Sequence, residues 1–286
     1  MKRFFRRREP GALLVWSPPY THRSSGVRAL HRLCHHLNRC GYPCAMLSPP
    51  GAPLPDWDTP FHEGPIGDRI VIYPEIVPGN PLGAERVVRW CLNNPGLLGG
   101  DRMYADSEMV FVYDHQRLAI VNQAVRRPIG PERILWMGLV DPSCIYPDPR
   151  VPKTINCSFT HKGRALRDCH PLPPEAGLLA LEDLTPSMAA LGDTLRRTRT
   201  LYSYDHYSNV LREAAICGCR VLTMGEGVAW HDPQTCRCAH NIQWQPGFHA
   251  TYARQFEDSS FVQGFVRELE TRWAVPRITP WRRGRQ

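Results

Sequence analysis

Two acidic side chains, Asp205 and Glu213, lie eight residues apart in a segment whose pattern predicts a phosphate and sugar site. Short apolar runs at 200–204 and 220–224 predict two buried strands, and residues 207–217 between them predict one helix. A strand–helix–strand unit of this length predicts a parallel, right-handed crossover. Open α/β sheets bind ligands in the loop after the first strand, where the helix amides and dipole favour an anion.

The predicted loop also contains His206 and Ser208, which extend the set of polar side chains at the start of the helix. Glu213 stands about two helical turns further on, a position from which it could reach the hydroxyls of a sugar bound beside the phosphate. A capped helix in an ordinary α/β fold would carry the same residue types. The spacing by itself therefore leaves both interpretations open.

The same segment resembles the donor site of GT-B glycosyltransferases. In that family an acidic residue, seven others and a glutamate, followed by Ala and a Gly-containing stop, hold a nucleotide-sugar. Here Asp205 and Glu213 are followed by AAICGC, with Asp in place of the commoner Glu at the first position. The resemblance implies that Asp205, His206, Ser208 and Glu213 contact the donor.

A second segment, residues 74–96, reads PEIVPGNPLGAERVVRWCLNNPG and resembles a signature of bacterial glycosyltransferases of cell-envelope polysaccharides. In that signature a strand ends in Pro-Glu and is followed by Gly-Asn-Pro and a helix containing V-V-R-W. The resemblance thus implies a helix near 84–93. Alternatively, the prolines of this segment only set turns, and Glu75 is still a carboxylate at the carboxyl end of a predicted strand (69–75).

An enzyme that inverts the anomeric centre of the sugar needs a base to take the proton of the acceptor hydroxyl. The resemblance places that base in loops of the amino half that face the cleft between two domains. The candidates are Glu75, Asp114, His115 and His22, of which Glu75 and Asp114 end predicted strands. An enzyme that retains the configuration needs no such base, and the same residues would then position the acceptor.

A basic turn follows the predicted strand that opens the segment 155–165, INCSFTHKGRA. In GT-B enzymes the first strand of the donor domain is followed by a basic residue that holds the nucleotide diphosphate. Lys162 and Arg164 have the charge that this role requires. The alternative is a polar surface turn without a ligand.

The amino half of the chain repeats the layout of strand, loop, helix and strand. Residues 12–17 predict a strand, a helix is predicted from Ser25 to Gly41, and residues 42–47 predict the next strand. Two further strands are predicted at 109–115 and 133–141. The pattern favours a layered α/β sheet of the nucleotide-binding type.

We therefore expect an α/β chain that is GT-B-like, with two Rossmann-like parallel-sheet domains facing a cleft. Residues 1–150 form the expected acceptor-side domain and residues 151–286 the nucleotide-sugar donor domain. The last predicted helix, 252–273, is expected to cross back to the first domain.

Composition and charge limit the class of protein. The 286 residues are 42% hydrophobic and 22% charged, as in globular proteins, and no run approaches 18 apolar residues. The net charge is +8, but residues 2–9 contribute +4 and residues 272–285 contribute +5, so the body is close to neutral. A protein that grips a long polyanion usually has a basic face on its fold. For the two basic ends we therefore expect no more than contact with an anionic surface.

The chain has eleven cysteines, an odd number, and no signal peptide is predicted. Both observations favour a protein of the reducing cytoplasm. Four of them form two C-x-C pairs, Cys217 with Cys219 and Cys236 with Cys238. Zinc ligands usually come in C-x₂₋₄-C pairs, so we expect no metal site here.

These observations predict a cytoplasmic glycosyltransferase that moves a sugar from a nucleotide-sugar to an acceptor hydroxyl, without a metal or another cofactor. The acceptor class stays open among glycans, lipid-linked molecules and nucleic acid. Two alternatives remain: a phage-type enzyme that glycosylates a modified base in DNA, and a non-catalytic nucleotide-binding scaffold.

Overall fold

The computed structural model describes residues 12–47, 56–170, 172, 177–206, 208–224, 228–233 and 249–277. These residues form two compact units. The first unit takes in the described residues of 12–21, 26–137 and 258–277, and the second those of 22–25 and 138–257.

The described residues contain ten strands and eight α-helices. The strands are β1 (Leu13–Trp16), β2 (Cys44–Leu47), β3 (Ile70–Pro74), β4 (Arg86–Cys91), β5 (Met109–Val112), β6 (Ile155–Phe159), β7 (Leu178–Ala180), β8 (Thr198–Ser203), β9 (Arg220–Met224) and β10 (Trp230–His231). The helices are α1 (Ser25–Arg39), α2 (His115–Val121), α3 (Arg164–Cys169), α4 (Leu181–Leu184), α5 (Met188–Arg197), α6 (Asn209–Ile216), α7 (His249–Glu257) and α8 (Phe261–Glu270).

The sheet of the first unit is parallel throughout, in the order β2-β1-β3-β4-β5. Its strands are nearly continuous apolar runs and are almost completely buried, as expected for a parallel sheet covered on both faces. Between β1 and β2 lies α1, whose Leu30, Leu33 and Leu37 recur at helical spacing and are buried. Gly41 follows that helix at φ 85°, a left-handed conformation that glycine adopts readily after a helix.

The sequence interpretation of residues 84–93 as a helix is wrong, because β4 occupies most of that range. Val87, Val88 and Trp90 are all buried, and the strand pairs with β3 on one side and β5 on the other. A surface helix has a polar face, whereas this run is buried on both of its faces, as is typical of a strand inside a parallel sheet. The V-V-R-W part of the family signature is thus a strand here.

The prediction of a strand at 133–141 is also wrong. Residues Pro131–Arg133 form a 3-10 turn, and Ile134 makes one isolated bridge to Val112. Leu135 and Met137 are nevertheless buried, so their apolar character reflects packing in the core without pairing in the sheet.

The second unit has the strand order β10-β9-β8-β6-β7, in which only the short β10 is antiparallel. Its core includes Phe159 and Leu201 from strands and Leu195 and Leu211 from helices. Lys153 donates hydrogen bonds from Nζ to the carbonyls of Leu195 (3.2 Å) and Cys217 (2.6 Å), at the carboxyl ends of α5 and α6. A cation at that position satisfies carbonyls that a helix end leaves unpaired.

The long helix predicted at 252–273 consists of two helices, α7 and α8, separated at Asp258–Ser260. Asp258 accepts hydrogen bonds from the amide (2.8 Å) and hydroxyl (3.0 Å) of Ser260, which closes a turn between them. In the first unit, Phe265 of α8 packs edge-on against Phe111 at 4.9 Å between ring centroids. No helix within the described ranges is long and apolar enough to cross a membrane.

The prediction of an α/β chain is confirmed. Two five-stranded, mainly parallel sheets are present, and each is compatible with a Rossmann-like domain.

Candidate functional site

The carboxyl ends of β6 and β8 form the crevice of the second unit in which a ligand is expected. The chain passes from β6 to β7 on one side and then returns to β8 on the other side, so the strand order reverses between β6 and β8. Open α/β sheets bind ligands at such a reversal, outside the carboxyl ends of the strands. Phe159 and Ser203 are opposite partners at the ends of these two strands.

A histidine–aspartate pair joins the two sides of this crevice. His161 follows β6 and Asp205 follows β8, and the His161 Nδ1 lies 2.8 Å from the Asp205 Oδ2. Asp205 is only 1% exposed, and its Oδ1 accepts a hydrogen bond from the amide of Ser208 at 3.0 Å. An ionised Asp205 carboxylate can only accept a hydrogen bond; in that state the proton of this contact belongs to Nδ1, and Nε2 is the second polar atom of the ring.

Glu182, in α4 two residues after the end of β7, holds the turn that carries His161. Its Oε1 accepts hydrogen bonds from the amides of Thr160 (2.7 Å) and His161 (2.9 Å). His161 has φ 32°, outside the conformations that non-glycine residues prefer. The two carboxylates, Glu182 and Asp205, thus bind one strained turn from both sides, and such strain often marks a functional position.

The turn also packs closely on β8. A Cβ atom added to Gly163 would lie 2.2 Å from the carbonyl oxygen of Tyr204, so only glycine fits there. The ring of His161 stacks on Phe159 with 5.6 Å between centroids and 7° between planes. The backbone of the turn at Gly163 and the ring of His161 are therefore both held in place.

Lys162 and Arg164 lie on the same turn and are exposed. No acidic side chain in the described part of the chain forms an ion pair with either of them. The predicted basic residues are therefore available to an anion beside the His161–Asp205 pair.

The remaining predicted donor residues lie at the start of α6. Ser208 is its N-cap, and its hydroxyl accepts a hydrogen bond from the amide of Val210 at 3.3 Å. Glu213 is completely buried, and its Oε1 accepts from the side chain of Asn209 at 3.2 Å. His206 is half-buried. The structure brings Asp205, Ser208 and Lys162 together through direct hydrogen bonds, and places Glu213 in the interior of the unit.

The carboxyl edge of the first sheet carries a second cluster. Glu75 directly follows β3, is 3% exposed and accepts a hydrogen bond from the amide of Leu92 at 2.9 Å. Burial raises the pKa of Glu75, while backbone hydrogen bonds and the charge of Arg117 act in the opposite direction. Arg117 also forms an ion pair with Asp114, the N-cap of α2. A carboxyl group with a raised pKa is suited to exchange protons.

Two other predicted base candidates are placed differently. His115 is exposed as the first residue of α2. His22 is buried and belongs with the described residues of the second unit, in which the neighbouring Arg23 donates to the carbonyl of Thr185 at 3.0 Å.

Arg89 positions the loop that carries Glu75. Its guanidinium is fully buried and donates to the carbonyls of Val77 and Gly79, both at 2.7 Å. It also forms a two-pronged ion pair with Glu108, at 3.1 and 3.2 Å. The arginine of the V-V-R-W run is therefore a structural residue that joins the loop after β3 to Glu108.

Of the two C-x-C pairs, the one formed by Cys217 and Cys219 lies within the described residues. Cys217 and Cys219 are free thiols, and burial raises the pKa of Cys217 to about 12. Cys236 and Cys238 lie outside the described residues. Within the described residues no group of three or more His, Cys, Asp or Glu side chains could hold a metal ion.

Sequence reasoning missed His161, Glu182 and Arg117. Glu182 could have been found, because it is a carboxylate two residues after the short apolar run of β7, and a position at a strand end is the criterion that selected Glu75 and Asp114. Nothing in the sequence indicates the pairing of His161 with Asp205, since 44 residues separate them.

The chain gave no match in comparisons with models of protein families or with curated proteins.

Proposed function

We propose that this chain is a GT-B-type glycosyltransferase, which moves a sugar from a nucleotide-sugar to an acceptor hydroxyl without a bound metal. The observation that carries the proposal is the crevice between β6 and β8. There, two exposed cations, Lys162 and Arg164, adjoin a fixed His161–Asp205 pair at the reversal of a parallel sheet. A diphosphate is the chemistry that such a site fits.

The donor half of the reaction needs stabilisation of the departing diphosphate. Lys162 and Arg164 would neutralise its charge, and the ring of His161 would contact the same group through Nε2. Asp205 and Ser208 would act by holding the turn and the start of α6, since both are buried and hydrogen-bonded to their neighbours.

The acceptor half needs a base if the configuration is inverted. The acceptor oxygen attacks the anomeric carbon, the bond from that carbon to the phosphate oxygen breaks, and the nucleoside diphosphate leaves with the electron pair. Glu75 would take the acceptor proton, which is consistent with the rise in its pKa on burial. Asp114, His115 and His22 are the other candidates for this role or for positioning the acceptor.

A second candidate function is favoured by the burial of the two acidic donor residues. Asp205 is 1% exposed and Glu213 is 0% exposed, so neither presents a carboxylate to a bound sugar in this conformation. A protein that binds a nucleotide and does not transfer a sugar would have the same features. Binding without turnover would identify this class.

The experiment is a thermal-shift panel of nucleotides and nucleotide-sugars, with and without Mg²⁺. A ligand at one hundred times its Kd stabilises the folded state by about 2.7 kcal/mol. We expect a nucleoside diphosphate or its sugar conjugate to raise the Tm without added metal. NAD should have little effect, because neither half has a G-x-G-x-x-G loop.

The test variant and its control are double variants that each remove two positive charges. Lys162→Ala/Arg164→Ala should abolish the shift, whereas Arg199→Ala/Arg220→Ala, at the amino ends of β8 and β9, should retain it. No shift with any nucleotide, or equal shifts in both double variants, would refute the donor-site assignment. Acceptor panels of glycans, lipid-linked sugars and DNA then separate transfer from binding alone.

A further inference from the structure

A cavity of about 360 Å³ lies in the first unit at the amino-terminal end of β5. Its apolar lining includes Val110, Val125 and Ile129. Four arginines also line it, namely Arg126, Arg127, Arg133 and Arg272. Cavities of this size hold small organic molecules, and the combination of apolar wall and guanidinium groups suits an organic anion.

The charges of this cavity are not balanced. Arg133 is neutralised by Glu268 at 2.9 Å, and Glu108 is held by the buried Arg89. Among the residues that the structure describes, no acidic side chain forms an ion pair with Arg126, Arg127 or Arg272. Asp106 is the one remaining acidic residue of the lining, so three cations face one carboxylate.

The cavity is separate from the candidate site of the same unit. Met109, the first residue of β5, lines the cavity, whereas Asp114 lies past the other end of that strand. Five residues at about 3.3 Å each separate these positions by up to roughly 16 Å. The cavity is thus at the edge of the sheet opposite to Glu75 and Asp114.

We propose that this cavity binds an organic phosphate of the size of a sugar phosphate or a mononucleotide. The phosphate contacts Arg126 and Arg127, which are exposed and adjacent, while the carbon part packs on Val110 and Val125. Residues 2–9 and 277–285 are unsuitable occupants of the cavity, because both segments are strongly basic. This binding does not depend on the proposed transferase activity.

The test is isothermal titration calorimetry of the full chain with two matched pairs of probes, glucose 6-phosphate with glucose and AMP with adenosine. At least one phosphate should bind, and its uncharged counterpart should not. Arg126→Ser/Arg127→Ser should weaken the binding of that phosphate about 100-fold, since loss of one charge-assisted hydrogen bond costs roughly tenfold in affinity.

Two control variants show where the phosphate binds. Arg254→Ser/Arg267→Ser removes the same charge from exposed positions of α7 and α8 and should change the affinity less than twofold. Lys162→Ala/Arg164→Ala should also leave it unchanged. The proposal is overturned if no phosphate binds the parent, if Arg126→Ser/Arg127→Ser binds like the parent, or if Lys162→Ala/Arg164→Ala loses the binding.

Discussion

Glu182→Ala removes the single acceptor of two backbone amides in the turn after β6. The Glu182 Oε1 accepts from Thr160 at 2.7 Å and from His161 at 2.9 Å. Each such hydrogen bond contributes about 0.5–1.5 kcal/mol net, and both amides belong to half-buried residues that water can partly solvate. We therefore expect Glu182→Ala to lower the free energy of unfolding by about 1–2 kcal/mol.

The effect on ligand binding should exceed what this loss of stability explains. Without Glu182, the turn is free to relax from the positive φ of His161, and the imidazole then leaves the Asp205 carboxylate. We expect the Kd for the nucleoside diphosphate that stabilises the parent to rise about tenfold, the cost of one charge-assisted hydrogen bond. Glu182→Gln retains an oxygen acceptor for both amides and should restore most of the affinity.

The assay combines urea unfolding with calorimetric binding at a temperature where every variant is folded. Asp183→Ala is the matched control, because Asp183 is the exposed acidic neighbour on the same helix. The imidazole ¹⁵N shifts of His161 report its proton position without any ligand. Unchanged shifts and unchanged affinity in Glu182→Ala would refute a positioning role for Glu182.

Arg89→Met should lower the free energy of unfolding by about 3–5 kcal/mol in urea titrations, because it leaves the carboxylate of Glu108 nearly buried without its partner. Arg86→Met, on the same strand but with an exposed partner, Asp68, at 3.9 Å, should cost less than about 1 kcal/mol, and equal costs would contradict this account. Burial lowers the pKa of His36 to about 3, so the unfolded state binds a proton more tightly than the folded state does. The free energy of unfolding therefore falls as the pH drops from about 6.5 towards 3, by up to about 1.4 kcal/mol per pH unit. His36→Gln can keep the contact to the hydroxyl of Ser259 and should reduce this slope in unfolding measured between pH 7 and 5, while the part due to His31, whose pKa burial lowers to about 4, remains; an unchanged slope would show that His36 does not contribute to it.

The elements that sequence reasoning placed correctly have unambiguous local patterns. The helix from Ser25 has apolar residues at helical spacing and a glycine after its end, and the strands β8 and β9 are short apolar runs that flank a helix. In these segments propensity, periodicity and end signals agree, so the local pattern is enough to identify the element.

The two misassigned segments show where the local pattern fails. The run 86–91 was assigned to a helix through a family resemblance, yet it pairs with strands on both sides. The run 133–141 has the composition of a strand, but its backbone makes one isolated bridge to β5. Whether an apolar run joins a sheet depends on a free strand edge beside it, which is a property of the whole fold.

The sequence by itself determined the α/β class, the two parallel sheets and the positions of Glu75, Lys162, Arg164 and Asp205 near strand ends. It could do so because strand ends and helix starts are local features, and polar residues at them can be read along the chain. Which partner each polar group has was decided only by the tertiary structure.

The pairing of His161 with Asp205, the hold of Glu182 on the turn and the burial of Glu213 all arise from residues that are distant in sequence. The same holds for Arg89, whose partners come from the loop after β3 and from the residue before β5. A buried polar group must find a hydrogen-bonding partner, but the packing of the sheet selects which one, and that selection leaves no mark in the local sequence.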